Sequence, residues 1–263
     1  MSEHCRYFQD SVVIMTGVAS GIGKAMATEM SRRGATLILA DRQIELAQGV
    51  AADLGNAEAE ELDVRDAAAV ESLVRSVFQR HGRLDFMFNN AGIGILGPVR
   101  DTTLVDWQQT VDVNINGVIH GVLAAYAVMR EQGFGHIVNT ASMAGLVAGG
   151  NLAAYVASKH AVVGLSKSLA QETREENISV TVLCPGVINT PILEGGTFGR
   201  LISQPPPDAG QDAMDPAEFA RRTIDDIARK KTVIIHPFQW RIILWMSRLS
   251  PTLLSWLMRR REK

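Results

Sequence analysis

Tyr155 and Lys159 stand four residues apart in the stretch Tyr155-Val156-Ala157-Ser158-Lys159. If that stretch is helical, the two side chains share a face. An ammonium beside a phenol favours the phenolate and lowers its pKa from about 10. A phenol tuned in this way exchanges a proton with an alcohol or a carbonyl near neutral pH. Ser142 lies thirteen residues before Tyr155, and its hydroxyl suits a hydrogen bond to a substrate oxygen. Asn114 sits in Val113-Asn114-Ile115-Asn116-Gly117, where a polar residue on an otherwise apolar helix needs a partner or a water. Asn116 is a rival for that place. The structural alternative is that Tyr155 packs and Lys159 is solvated.

A second group of residues suits phosphate. An apolar run ends in Thr16-Gly17-Val18-Ala19-Ser20-Gly21-Ile22-Gly23, and a helical pattern follows at once. Glycines at a strand-to-helix turn let the backbone approach a pyrophosphate, and the helix N-terminus offers N–H groups and partial positive charge. The spacing is GxxxGxG rather than the GxGxxG of the broader dinucleotide fingerprint. The next apolar run ends at Asp41, where a carboxylate accepts hydrogen bonds from ribose hydroxyls and repels a 2′-phosphate. NAD is therefore favoured over NADP. Arg42 next door suits the opposite choice, and a helix-capping role is the plain alternative for Asp41. Asp63 and Val64 close a third run, where an adenine contact is expected. Asn89-Asn90-Ala91-Gly92 closes the fourth with small residues that leave room for a cofactor.

These residues need a scaffold that brings strand ends together. Strands are predicted at 11–16, 35–41, 60–64, 84–89, 136–140, 179–184 and 232–236. Helices are predicted between them at 22–33, about 43–54, 66–80, 103–130, 153–176 and 216–230, with Asp66 as an N-cap. Strands alternating with helices, several of them almost continuously apolar, predict an α/β fold: a doubly wound, Rossmann-like parallel sheet of about seven strands with helices on both faces. Residues 194–216 hold four glycines and three consecutive prolines, and a loop this long in an α/β domain is expected to act as a lid.

Composition narrows the function. The 263 residues are 46% apolar and 21% charged, which excludes wholesale disorder. A net charge of −2 gives no reason to expect a nucleic-acid partner. Cys5 and Cys184 are the only cysteines and the six histidines are scattered, so neither a disulfide framework nor a metal site is expected. The polar N-terminus is unlike a secretory signal, and the longest uncharged run, 132–158, is a poor membrane span. The default expectation is a reducing, cytoplasmic setting.

Taken in order, TGVASGIG (16–23), Asp41, DV (63–64), NNAG (89–92), Asn114, Ser142, YVASK (155–159) and PGVINT (185–190) resemble the short-chain dehydrogenase/reductase family in its single-domain form. The resemblance spans residues 10–236. It implies that Tyr155 is the general acid/base, that Lys159 lowers its pKa and binds the nicotinamide ribose, and that Ser142 orients the substrate oxygen. It implies that Asn114 holds a water linking Lys159 to solvent. Asn90, Ala91 and Gly92 would flank the cofactor, and Pro185, Gly186, Ile188 and Thr190 would line the nicotinamide and diphosphate. Ser20 and Asp41 match the NAD-preferring members. The implied reaction is reversible hydride transfer between a secondary alcohol and nicotinamide. The implied assembly is a homo-oligomer, dimer or tetramer, packed through the two long helices. The first of these carries apolar residues beyond one face, among them Leu123 and Ala127.

The substrate is expected to be a lipophilic alcohol or ketone. Its pocket would be built from Gly94, Ile95 and Leu96, from Met143, Leu146 and Val147, and from the loop at about 187–215 with Ile192. Two other activities stay open: reduction of a 3-oxoacyl thioester, and nucleotide binding without catalysis. The chain departs from the family pattern after the catalytic domain, 1–236. Residues 237–263 add three of the four tryptophans and, from Gln239 on, a net charge of +5. Pro251 divides this extension into two short helical segments, neither able to span a bilayer. It suits a membrane interface, a wall of the pocket, or a subunit contact.

Overall fold

Apolar residues in successive strand positions bury both faces of a strand, and that pattern sets the architecture. The computed structural model describes residues 7–193, 199–202 and 213–249. Strand β1 (Val12–Thr16) is buried at all five positions. Val12 and Ile14 point to one side of the sheet, into a cluster with Val70, Val74, Val118, Val122 and Val162. Val13 and Met15 point to the other, against Met26, Met30, Val50, Phe219 and Ile224. One strand thus feeds two hydrophobic layers, which is why it reads as continuous rather than alternating.

The elements follow in order: β1, α1 (Gly21–Arg32), β2 (Thr36–Asp41), α2 (Ile44–Leu54), β3 (Ala57–Glu61), α3 (Ala67–His81), β4 (Phe86–Asn89) and β5 (Gly94–Leu96). Then come α4 (Leu104–Val111), α5 (Gly117–Gln132), β6 (Gly135–Thr140), α6 (Ala153–Glu172), β7 (Ile178–Pro185), β8 (Gly199–Leu201), α7 (Pro216–Ala228), β9 (Val233–His236) and α8 (Gln239–Leu249). Seven strands form one sheet in the order β3-β2-β1-β4-β6-β7-β9, and every pairing is parallel. The order reverses between β1 and β4. At such a switch point two connections leave in opposite directions and open a crevice at the strands' carboxyl ends.

Three predicted elements differ. The third strand is Ala57–Glu61, not 60–64: Leu62 and Val64 follow it and are buried, and Leu62 closes the pairing with one hydrogen bond to the Asp41 carbonyl. The helix predicted over 103–130 is interrupted by a π-turn at Asp112–Asn116. Asn114 causes a local compromise there. Its side-chain amide donates to the Ile93 carbonyl at 2.9 Å, and its oxygen accepts from the Ile93 N–H at 2.8 Å, tying the helix to the strand-4 loop. The third difference is a small parallel ribbon of β5 and β8. Arg200, the middle residue of β8, pairs with the buried Asp106 at 3.0 Å.

Local capping agrees with the sequence elsewhere. Asp66 accepts from the Ala69 N–H at 3.0 Å and starts α3. Thr103 and Asp106 form a capping box for α4. Leu123 is 62% exposed on α5, and Leu104 and Val105 are exposed on α4. Most of the predicted lid, and the second half of the C-terminal extension with Pro251, lie outside the described residues.

Candidate functional site

Strand ends gather the polar residues into one cavity of about 410 Å³. It is lined by the glycine turn after β1, by Asp41, Arg42 and Gln43 after β2, and by Asp63 and Val64. Asn90, Ala91 and Gly92 after β4, Ser142 after β6, Tyr155 and Lys159 of α6, and residues 185–188 and 190–192 after β7 complete it. Every catalytic and cofactor-binding residue read from the sequence lies in this wall except Asn114, which stands directly behind it.

The glycine turn is shaped for a ligand. Gly17 has φ +71°, and a Cβ there would lie 2.6 Å from the Ala91 Cα. At Gly23 a Cβ would run into the Gly17 carbonyl. Only glycine lets the turn fold this tightly against β4. Ser20 is the N-cap of α1 but its side chain caps nothing, so the first-turn N–H groups of Gly21, Ile22 and Gly23 border the cavity. The cradle fits a pyrophosphate.

The turn is held by side chains. The Asn90 amide donates to the carbonyls of Thr16, at 3.1 Å, and Gly17, at 3.0 Å. Its oxygen accepts from the Thr140 hydroxyl at 3.1 Å. Thr16 accepts at its hydroxyl from the N–H groups of Asn90 and Ala91. Asn90 therefore acts as a brace between β1, β4 and β6, with no amide hydrogen left for a ligand. The sequence reading, which placed it beside the cofactor, missed Thr16 and Thr140 as its partners.

Asp41 also braces. One carboxylate oxygen accepts from the Ala19 N–H at 2.9 Å and the other from the Gln43 N–H at 3.0 Å. Asp41 thus holds the turn before α2, whose N-cap is Gln43, and lines the cavity. Asp63 pairs with Arg65, whose hydrogen bonds hold its carboxyl below the usual carboxylate range.

At the other end of the cavity Ser142, Tyr155 and Lys159 converge. The Ala144 N–H donates to the Ser142 oxygen at 3.1 Å, and the Ser142 hydroxyl faces that of Tyr155. Burial pushes the Tyr155 phenol above its ordinary value, and a hydrogen bond between the Ser142 and Tyr155 hydroxyls works in the opposite direction. The Lys159 Nζ lies 5.6 Å from the Tyr155 ring centroid. It donates to the Thr140 carbonyl at 2.9 Å and not to the phenolic oxygen. The net direction for Tyr155 is therefore upward, set by burial against the Ser142 hydrogen bond, and not the lowering by Lys159 that the sequence predicts. Lys159 itself is pushed down to about 8 by burial.

Asn114 is fully buried and its amide nitrogen is spent. Besides Ile93 it donates to the Ser158 hydroxyl at 3.1 Å, and Ser158 donates to the Tyr155 carbonyl at 2.7 Å. Both hydrogens of its amide nitrogen are used in this pairing, which leaves the oxygen atoms of Asn114 for the water the sequence reading expects. Asn116 is no rival: its amide pairs with Asp112.

The remaining wall is apolar. Leu96, Met143, Val147, Ile192, Trp240 and Ile243 contribute to it. Leu146, expected there, packs against the core instead. Trp240 is the residue the sequence placed least firmly: its indole fills the space a Cβ at Gly186 would need. The pocket-wall reading of the extension therefore describes the first turns of α8. Cys184, just below, is buried with its thiol pushed up to about 12, and stays protonated.

Comparison with known proteins identifies the family and the fold. The family profile described as short chain dehydrogenase matches residues 11–197. Levodione reductase of Leifsonia aquatica is 42% identical over 194 residues, covering 71% of this chain and 73% of that protein. Meso-2,3-butanediol dehydrogenase of Serratia marcescens is 36% identical over 191 residues, covering 72% and 75%. A Burkholderia phymatum short-chain dehydrogenase/reductase, solved in complex with NAD, superposes with a TM-score of 0.85 at 28% identity, covering 94% of this chain and 96% of that one.

Proposed function

The chain belongs to the short-chain dehydrogenase family, and from that premise we propose that it interconverts a lipophilic secondary alcohol and its ketone with NAD. The observation that carries the reading is the convergence of Ser142, Tyr155 and Lys159 at one end of a cavity whose other end is the glycine cradle. The levodione reductase and the butanediol dehydrogenase support the alcohol–ketone class by their names. The apolar wall from Leu96 to Trp240 supports a lipophilic substrate.

Gly17, Gly21 and Gly23 would hold the pyrophosphate, Asp41 the adenosine ribose, and Pro185, Gly186, Ile188 and Thr190 the nicotinamide end. When bound, the dinucleotide supplies the hydride acceptor or donor. The protein's part is the proton. In reduction, the Tyr155 hydroxyl gives its proton to the substrate oxygen as charge builds there, and in oxidation the phenolate takes the alcohol proton. Ser142 orients that oxygen through its hydroxyl. Lys159 is an ammonium at neutral pH, close to the ring, and its charge opposes the burial that favours the neutral phenol. Asp41 adds a fixed negative charge where a 2′-phosphate would lie, which supports NAD over NADP. Exposed Leu104, Val105 and Leu123 support a dimer or tetramer built on α4 and α5.

The test is nicotinamide absorbance with a panel of secondary alcohols, NAD and NADP in parallel, and Tyr155→Phe as control. Turnover with NAD that falls by about 10²–10⁴ in Tyr155→Phe is expected. Undiminished turnover in that variant would refute the proton role. Turnover with NADP alone would show that Arg42 governs the choice. Cofactor binding without turnover of any alcohol or ketone would favour a nucleotide-binding protein.

A further inference from the structure

Helix α8 is apolar on two opposite faces. Its inner face sends Trp240 and Ile243 into the cavity wall, and Trp240 with Leu244 packs on the core. Its outer face carries a second ridge. Phe238, Ile242, Trp245 and Leu249 are exposed by 61%, 49%, 63% and 64%. Their spacing of four, three and four residues puts all four on one line along the helix. A ridge of this size left to water marks an interaction site.

The charges beside it identify the occupant. Arg241 and Arg248 flank the ridge, and among the described residues neither forms an ion pair. The Arg241 guanidinium lies over the Phe238 ring at 5.5 Å, so it faces the same surface. From Gln239 to the end there are six basic residues and one acidic one, whereas the rest of the chain carries net negative charge. Tryptophan, phenylalanine and leucine on one line with arginine alongside suit the boundary of an anionic bilayer, where rings sit at headgroup depth and guanidinium groups meet phosphates. An eleven-residue helix is about 16 Å long, too short to span, so it would lie in the plane of the surface.

We infer that the outer ridge of α8 docks this protein on an anionic lipid bilayer, while the inner face of the same helix walls the cavity. Docking itself does not depend on the reaction proposed above. Only its consequence does: a lipophilic substrate leaving the bilayer meets the cavity one helix away.

The full-length protein would be sedimented with phosphatidylcholine vesicles, with and without phosphatidylglycerol, at low and high salt. Binding to the anionic vesicles that weakens with salt is expected. Trp245→Glu combined with Ile242→Glu is expected to abolish it. Arg241→Gln and Arg248→Gln should each weaken it about fivefold, equivalent to about 1 kcal/mol per charge. None of these four residues lines the cavity, so turnover of a water-soluble alcohol should persist in every variant. That assay separates loss of docking from loss of the fold. Absence of vesicle binding would overturn the inference, as would binding unchanged in Trp245→Glu/Ile242→Glu. A double variant that changes subunit number, in a protein that ignores vesicles, would assign the ridge to a second copy. Vesicle binding seen only after deletion of residues 250–263 would show that this segment covers the ridge, and would also overturn the inference for the full chain.

Discussion

Replacing Lys159 with methionine separates the energetic burden of the catalytic lysine from its use. Lys159 is 3% exposed, and burial lowers it from its ordinary 10.5 to about 8. The unfolded chain holds the proton up to about 10.5, whereas the folded chain releases it near 8. Between these values the unfolded state binds more protons, so this residue makes stability rise with pH. At about 1.4 kcal/mol per unit, burial of the charge costs about 3 kcal/mol at pH 7, about 2 at pH 9 and about 1 at pH 10. Methionine has a similar length and no charge, and its loss of the hydrogen bond to Thr140 enters at every pH. Urea unfolding of both proteins at pH 7, 9 and 10 gives the stability gap directly. The stability of Lys159→Met relative to the parent should fall by about 2 kcal/mol from pH 7 to pH 10. Activity should be lost throughout. A gap that does not move with pH would mean a solvated ammonium, and the argument from burial would fail. A gap that moves the other way would reverse its sign.

Three further outcomes follow from the same geometry. Asp41→Ala should shift kcat/KM from NAD toward NADP by on the order of tenfold, because it removes the charge at the ribose end and leaves Arg42 in place; parallel assays with the two cofactors measure it. Gly23→Ala should lower dinucleotide affinity and destabilise the fold by about 1–3 kcal/mol, since the new methyl meets the Gly17 carbonyl; calorimetric titration and thermal unfolding read both. Trp240→Ala should open the wall beside Gly186, cost about 2 kcal/mol of stability and raise activity on bulkier alcohols relative to small ones.

The sequence carried the chemistry better than the boundaries. Glycines 17, 21 and 23, Asp41 and the Tyr155–Lys159 pair were legible because each depends on local spacing within one turn or helix. Other features depend on contacts distant in the chain. Nothing near residue 114 announces a π-turn, because its cause is the Ile93 backbone 21 residues away. The β5–β8 ribbon joins two three-residue strands about a hundred positions apart, too short for any periodicity. The third strand was displaced because Leu62 and Val64 look like ladder residues, yet they serve the turn beneath the cavity. Trp240 was legible as an aromatic in a basic tail, but its place against Gly186 belongs to tertiary structure alone. For Asn90 the position in the cavity wall was readable and the role as a brace was not.

Strand β3 closes one end of the sheet, and its Ala-Glu-Ala-Glu-Glu sequence bears on how the protein behaves when crowded. Its outer ladder has no neighbouring strand in the seven-stranded sheet, an arrangement that invites edge-to-edge growth. Glu58 and Glu60 stand on this strand and pair with a single arginine, Arg80. Glu61 follows them without a described ion pair. A second copy laid along this edge would bring glutamates 58, 60 and 61 up to those of its neighbour. Charged side chains on an edge strand are one way a sheet discourages such growth, and here they stand at the edge farthest from β9.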